Sequence, residues 1–478
     1  MKTPIVDFVT NYKNLNGSRF HMPGHKGQGM LGCEISDITE VSGADALYEA
    51  SGIIAESEAI ATCLFGTRRT LFSTEGSSQC VRAMLELARR WWQEKQRSFF
   101  GANSLKEKKI GNNRPIVIAT RNVHKSFLYA TILLDFDIVW LWPEGEDDSL
   151  CSCSISLEQL ENTLQLQKQP VAAVYITSPN YLGGEADIKA IADVCHKYDT
   201  LLLVDNAHGA YLHFLTPSKH PIELGADLCC DSAHKTLPVL TGGAYLHISK
   251  NAPKSLENQA KQSMELFGST SPSYLILQSL DLCNAYLANE YKEKLFYTIS
   301  KVEYTKQKLK DYGWNVLTTD PLRITIKSSF MMSGQILANK LRMYHIECEY
   351  ADNDYVVLMV TPENKIEDFK HLEEAMQYIA KEVSCNVSKK NEDTVKEKQI
   401  PLVRNTEQVL SVREAFFSLG EVLPVQQALG RICRIPTATC PPAIPIVVPG
   451  EQINETAIRC FRYYGIEQID VVKNGYLF

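Results

Sequence analysis

Lys235 stands between His234 and Thr236 in the stretch DSAHKTLPVLTGG, Asp231 to Gly243, with an apolar run before it and two glycines after it. A lysine amine attacks a carbonyl only once it has lost its proton, and desolvation or a nearby cation lowers its pKa toward that point. Three other stretches hold chemistry that could serve such a lysine. In LFSTEGSSQCVRAMLELARRWWQEK, Gly76, Ser77 and Ser78 open a helical pattern with Val81, Met84, Leu85, Ala88 and Trp92 on one face. A small-residue turn at a helix N-terminus exposes free backbone N–H groups at the positive end of the dipole, and serine hydroxyls add donors. Such a turn can hold a phosphate, although a plain serine N-cap has the same sequence. In LLLVDNAHGAY, Asp205 ends an apolar strand and His208 lies with Gly209 in the turn that follows. A carboxylate there can pair with a cationic nitrogen of a ligand, or simply close an Asx turn. In RNVHKSF, His124 follows another apolar strand and could lie flat on an aromatic ring.

The elements that must position these residues are legible as an alternation. Pro115 to Thr120, Asp137 to Trp142, Val171 to Thr177, Leu201 to Ala207 and Leu228 to Ala233 read as buried strands, with helical stretches such as ADIKAIADVCHKYD between them. Strand and helix in alternation predict an α/β fold, a mostly parallel sheet covered on both faces. Residues 1–40 read as an N-terminal arm and 41–300 as the large domain. Residues 301–385, with LRITI, YVVLMVT and a helical IEDFKHLEEAMQYIAKEV, read as a smaller α+β domain. A helical stretch is expected from about Ser273 to Tyr312, and a surface loop over Phe99–Pro115. The charged run at 386–399 reads as a linker, and 400–478 as a C-terminal domain.

The four features fall at strand ends, where ligands bind in open α/β sheets. A phosphate turn, a ring-covering histidine, a strand-end aspartate and a buried lysine, in that set, fit one ligand. That ligand is pyridoxal phosphate: phosphate to the helix N-terminus, ring nitrogen to Asp205, aldehyde to Lys235.

Composition narrows the alternatives. The chain has 478 residues, 45% hydrophobic and 22% charged, with a net charge of -7, enough for two or three domains. An acidic balance does not favour nucleic acid as a partner. No stretch approaches the ~20 apolar residues of a membrane helix, and no signal peptide opens the chain. The 14 cysteines are scattered, without a C-x-x-C pair or zinc spacing, so they read as reduced cytoplasmic thiols with no metal expected.

HMPGHKG (His21 to Gly27), DITEV (Asp37 to Val41), SAHKTLPVLTGGAYLH, GSTSPSYLILQSLD (Gly268 to Asp281) and CPPAIPIVVPGE (Cys440 to Glu451) occur in this order over nearly the whole chain. The set resembles the ornithine/lysine/arginine decarboxylase family of fold-type-I pyridoxal-phosphate enzymes, in its compact bacterial branch. The chain departs from the family's pattern at Glu75, where an asparagine is frequent, and around Ala44–Asp45–Ala46, where an acidic pair is frequent. The resemblance implies α-decarboxylation of a basic amino acid, with arginine to agmatine first and lysine or ornithine open. It implies Lys235 as the Schiff-base lysine, Ser232 and His234 at the phosphate, Asp205 at the ring nitrogen, Ala207 and His124 on the two ring faces, His208 beside them, and Gly76, Ser77 and Ser78 at the phosphate. Lys235 or His234 would return a proton to Cα. Ser269 and Thr270 would reach a phosphate across the interface of a homodimer or larger homo-oligomer. For the substrate's cationic group the sequence offers Glu451, Asp45 and Glu49. Two other functions remain open on the same fold: an aminotransferase or aldol-type lyase, and a non-catalytic regulator.

Overall fold

The computed structural model describes residues 1–100, 114–144, 149–328, 332–387, 402–437 and 443–475. The loop expected over Phe99–Pro115 and the linker expected over 386–399 lie, but for their ends, outside the described residues. Seven strands form the main sheet: β1 (Arg69–Ser73), β2 (Ile116–Thr120), β3 (Asp137–Leu141), β4 (Val171–Thr177), β5 (Leu201–Asp205), β6 (Leu228–Asp231) and β7 (Ala244–Ile248). Their order is β1-β7-β6-β5-β4-β2-β3. The five expected strands are β2 to β6, and all their pairings are parallel. The sequence reading missed β1 and β7. β7 runs antiparallel to both β6 and β1; residues 232–243, with the short helix Ala233–Thr236, return the chain on the same end of the sheet, so no crossover is needed.

β2, β5 and β6 are buried along their whole length, as apolar strands covered on both faces must be. The helix Ser77–Phe100 lies across one face, with Val81, Met84, Leu85, Ala88 and Trp92 all buried as the periodicity predicts. It shares that core with Leu128, Leu203, Leu228, Cys230 and Leu246. On the other face Leu160, Ile191 and Cys195 meet Val204 and Cys229.

A four-stranded antiparallel sheet follows, in the order β10-β11-β9-β8, from β8 (Asn315–Val316), β9 (Arg323–Lys327), β10 (Tyr350–Ala351) and β11 (Tyr355–Met359). The helices Gly334–Met343 and Ile366–Val387 pack on it through Leu337, Leu341, Phe369 and Met376. The long helix expected before it is two, Tyr274–Asn289 and Tyr291–Asp311, parted at Glu290. The second of them crosses the boundary drawn at residue 300. Near the C-terminus, β12 (Gly420–Pro424) pairs with β13 (Gln468–Val472), and the helix Glu455–Tyr463 packs through Phe461.

The N-terminal residues expected as an arm instead begin with the helix Pro4–Asn14, whose Ile5 and Val9 are buried. Asp281 accepts hydrogen bonds from the Ile5 and Val6 N–H groups at 3.0 Å, satisfying two free donors of that helix terminus. Among the described residues, no helix is long and apolar enough to cross a membrane.

Candidate active site

Parallel strands end together, so the C-terminal ends of β4, β5 and β6 bring Thr177, Asp205 and Asp231 to one edge of the sheet. The turn after β5, the short helix Ala233–Thr236 after β6, and the N-terminus of the helix Ser77–Phe100 meet at that edge. Ser232 Oγ donates to Ser77 Oγ at 2.7 Å across 155 residues of sequence. Gly76 adopts φ 71°, a backbone shape that favours glycine. Its N–H donates to Gly242 O at 2.7 Å. Gly242 has φ 100°, and a Cβ on it would lie 2.9 Å from Thr74 O. The two glycines after the lysine therefore buttress the serine turn. No atom lies within 4 Å of where a Cβ of Gly76 would stand, so the small-residue turn at the helix N-terminus is open beside its donors.

Lys235 Nζ lies 3.1 Å from His208 Nε2. Burial lowers the Lys235 pKa, Asp205 and Glu349 oppose that fall, and Arg323 adds to it. His208 is pushed well below the ordinary histidine range by burial and then by Lys235, so its ring is uncharged at neutral pH. Asp205 is 4% exposed. Tyr175 Oη donates to its Oδ2 at 3.0 Å, and the Ala207 N–H donates to its Oδ1 at 3.2 Å. His124 caps the helix Lys125–Leu134, its Nδ1 accepting from the Ser126 N–H at 3.2 Å. Burial lowers His124 to about 4 against the pull of Asp205, so its ring is neutral at pH 7. His234 Nδ1 lies 3.0 Å from Gly243 O.

Gly76, Ser77, Ser78, His124, Asp205, Ala207, His208, Ser232, His234 and Lys235 thus lie on four elements that converge. The donor set fits pyridoxal phosphate: hydroxyls and free N–H groups for a phosphate, a buried carboxylate for a ring cation, and a half-buried lysine for an aldehyde.

The other expected residues sit differently. Ser269 and Thr270 are exposed. Glu451 is 1% exposed and paired with Arg121 at 2.9 Å. Its Oε2 also accepts from the Val448 N–H. Asp45 caps the helix Ile53–Leu64, accepting from the Gly52 and Ile54 N–H groups. Glu49 is exposed. These three acids are a buried structural pair, a helix cap and a surface group.

Four neighbours escaped the sequence reading. Tyr175 reaches Asp205 from the adjacent strand. Tyr181 packs edge-on to His208 with ring centroids 5.0 Å apart, and its Oη donates to Glu349 Oε1 at 2.6 Å. Arg323 is 2% exposed and bound to Asp320 at 2.7 Å. Glu349 also lines a cavity of about 350 Å³ together with Ile346, Cys348, Leu358, Val360 and Phe369. Only the alternation on β4 hinted at Tyr175; the others arrive from separate units of the fold.

Residues 101–379 match the family model of the Orn/Lys/Arg decarboxylase major domain, and 402–469 match that of the C-terminal domain. The chain is 28% identical to an arginine decarboxylase of Bacillus subtilis over 96% of this chain and 92% of that one. An arginine decarboxylase of Bacillus anthracis is similar to the same degree, 28% over 96% and 92%. Among solved structures, lysine decarboxylase A from Pseudomonas aeruginosa superposes with a TM-score of 0.79 at 15% identity, over 98% of this chain and 80% of that one. The lysine decarboxylase LdcF of Francisella novicida gives 0.77, also at 15% identity, over 98% and 81%.

Proposed function

The chain belongs to the Orn/Lys/Arg decarboxylase family, and on that premise we propose that it removes the α-carboxylate of a basic amino acid as CO2, with L-arginine to agmatine as the first choice and polyamine synthesis as the setting. The observation that carries the site is the half-buried Lys235 amine, 3.1 Å from a neutral His208 and facing the buried Asp205. Bound pyridoxal phosphate supplies an aldehyde for the lysine and a cationic ring that draws electrons from the substrate Cα.

Every other part belongs to the chain. Asp205, held by Tyr175 and the Ala207 N–H, would pair with the protonated ring nitrogen. Ser77, Ser78, Ser232 and the N–H groups at the Gly76 turn would hold the phosphate. His124, neutral at pH 7 because it is buried, and Ala207 would flank the ring without adding a second cation. Lys235 would bind the aldehyde and return a proton to Cα, with His208 Nε2 3.1 Å from its Nζ. His234 stays a candidate for the same proton.

For the substrate's cationic tail, Glu349 replaces Glu451, Asp45 and Glu49 as the acid of choice. It is linked to the lysine through Tyr181 and His208. The cavity that Glu349 lines, apolar at Leu358 and Phe369 and acidic at Glu347 and Asp368, suits an alkyl chain that ends in a positive charge. We place the enzyme in the cytoplasm as a homodimer or larger homo-oligomer. The exposure of Phe20, Met22, Met30, Leu31 and Leu266 supports an apolar face for a second copy, with Ser269 and Thr270 completing the partner's phosphate site.

The test is a substrate panel. Purified protein with added pyridoxal phosphate is given L-arginine, L-lysine and L-ornithine, and CO2, amine and oxo acid are each measured beside a Lys235→Ala variant. CO2 and amine from one of the three, lost in the variant, support the proposal. An oxo acid without CO2 would replace it with transamination.

A further inference from the structure

A second polar cluster lies behind the site. Side chains alternate across a strand. Cys230 faces Asp205 and the helix Ser77–Phe100, so Asp231 faces the opposite side of the sheet. There Asp231 is wholly buried with His220 and His247. Both Nε2 atoms lie 3.1 Å from its Oδ2. His220 Nδ1 accepts from the Ile222 N–H at 3.4 Å, which puts its proton on Nε2. His247 Nδ1 lies 2.9 Å from the Thr70 hydroxyl. Three such groups could hold a metal ion, but each already has a hydrogen-bond partner without one.

The other carboxylate oxygen, Asp231 Oδ1, accepts from Asn206 Nδ2 at 2.7 Å. Asn206 lies between Asp205 and Ala207 and is wholly buried. Its N–H donates to Cys230 O, and its carbonyl accepts from the Gly209 N–H at 2.8 Å, closing the turn. A Cβ on Gly209 would stand 2.0 Å from Asn206 Oδ1. The amide therefore fills the inside of the turn, and Asp231 is what holds it there.

We propose that Asp231 is a positioning residue: through Asn206 it fixes, from the far side of the sheet, the turn that carries Asp205 and His208 to the Lys235 amine. Burial by itself would raise the Asp231 carboxyl. His220 and His247 outweigh it and hold it below the usual carboxylate range, so the anchor stays an anion. His220 and His247 are themselves held at both nitrogens. The consequence for catalysis rests on the proposed cofactor site; the link itself does not.

The experiment compares Asn206→Ser and Asp231→Asn with a His213→Gln control. The His213 ring packs 5.9 Å from that of His220, and its Nδ1 lies 2.8 Å from Glu223 Oε1 rather than beside Asp231. Hydrogen–deuterium exchange at 206–209 in the apoprotein is expected to quicken about tenfold or more in both variants and not in the control. The near-visible circular dichroism of protein loaded with pyridoxal phosphate should change in the same two. kcat should fall roughly 10- to 100-fold while KM moves less than about threefold. Unchanged exchange and dichroism in either variant that melts like the wild type would overturn the proposal, and if Asn206→Ser fails to fold, Asp231→Asn decides. If wild-type protein takes up no cofactor, the cofactor reading falls, and exchange alone decides the link.

Discussion

Ser77 and Ser232 share a hydrogen bond of 2.7 Å although 155 residues separate them. The first opens the helix Ser77–Phe100 and the second follows β6, so the contact joins the phosphate turn to the lysine's own element. A double change to alanine removes two hydroxyl donors from the anchor. Pyridoxal phosphate affinity, measured by equilibrium dialysis, should fall about 30- to 150-fold, at roughly 1–1.5 kcal/mol for each hydroxyl, with little change in melting temperature.

Tyr175 Oη donates to Asp205 Oδ2 at 3.0 Å in a buried setting. Tyr175→Phe takes one donor from the carboxylate and keeps the ring packed. The carboxylate then lacks one of its two named donors, and it is held less firmly in place. kcat should fall about tenfold, in keeping with roughly 1.5 kcal/mol for a hydrogen bond to a charged group. An unchanged kcat would mean that the Tyr175 hydroxyl does not position Asp205 for the reaction.

Glu349 and Glu451 separate a substrate acid from a structural one. Glu349→Gln should raise KM for the preferred amino acid about tenfold or more, the cost of roughly 1.5 kcal/mol for one charge-assisted contact. Glu451→Gln leaves the Arg121 guanidinium, 8% exposed, without its counter-charge. It should cost about 3–5 kcal/mol of stability and leave KM alone in whatever folds. The reverse pattern, with KM following Glu451, would restore the sequence-based choice.

His124 is held neutral to about 4 in the folded chain, against about 6.5 when unfolded. Between those values the unfolded chain binds the extra proton and the folded chain does not. Stability therefore falls as pH drops from about 6.5 toward 4, by on the order of 1–3 kcal/mol from this group. Thermal melts of the apoprotein across that window should show the fall. In His124→Gln the slope should flatten.

Much of the site was legible in the chain because its parts are local. A helix N-terminus of small residues, a strand-end aspartate and a lysine after a strand each carry their own signal within a few residues. The core face of Ser77–Phe100 followed from periodicity for the same reason. β1 and β7 escaped because RTLFS and AYLHI mix polar with apolar residues, and antiparallel return needs no crossover helix to announce it. Glu349, the acid now proposed for the substrate, escaped because acidic residues in turns are common, and spacing cannot say which are already engaged. Asp45 caps a helix and Glu451 pairs with a buried arginine, and the arginine lies 330 residues away.

By itself, then, the sequence determined the element types, the buried strands and the residue chemistry at their ends, since these depend on contacts along a few turns of chain. Tertiary structure alone decided that His208 and not His234 lies within hydrogen-bond reach of the lysine amine, and that Asp231 is joined to Asn206 behind the Asp205 turn. Those relations join residues brought together by strand order. Strand order is set by the packing of the whole core, which no local window contains.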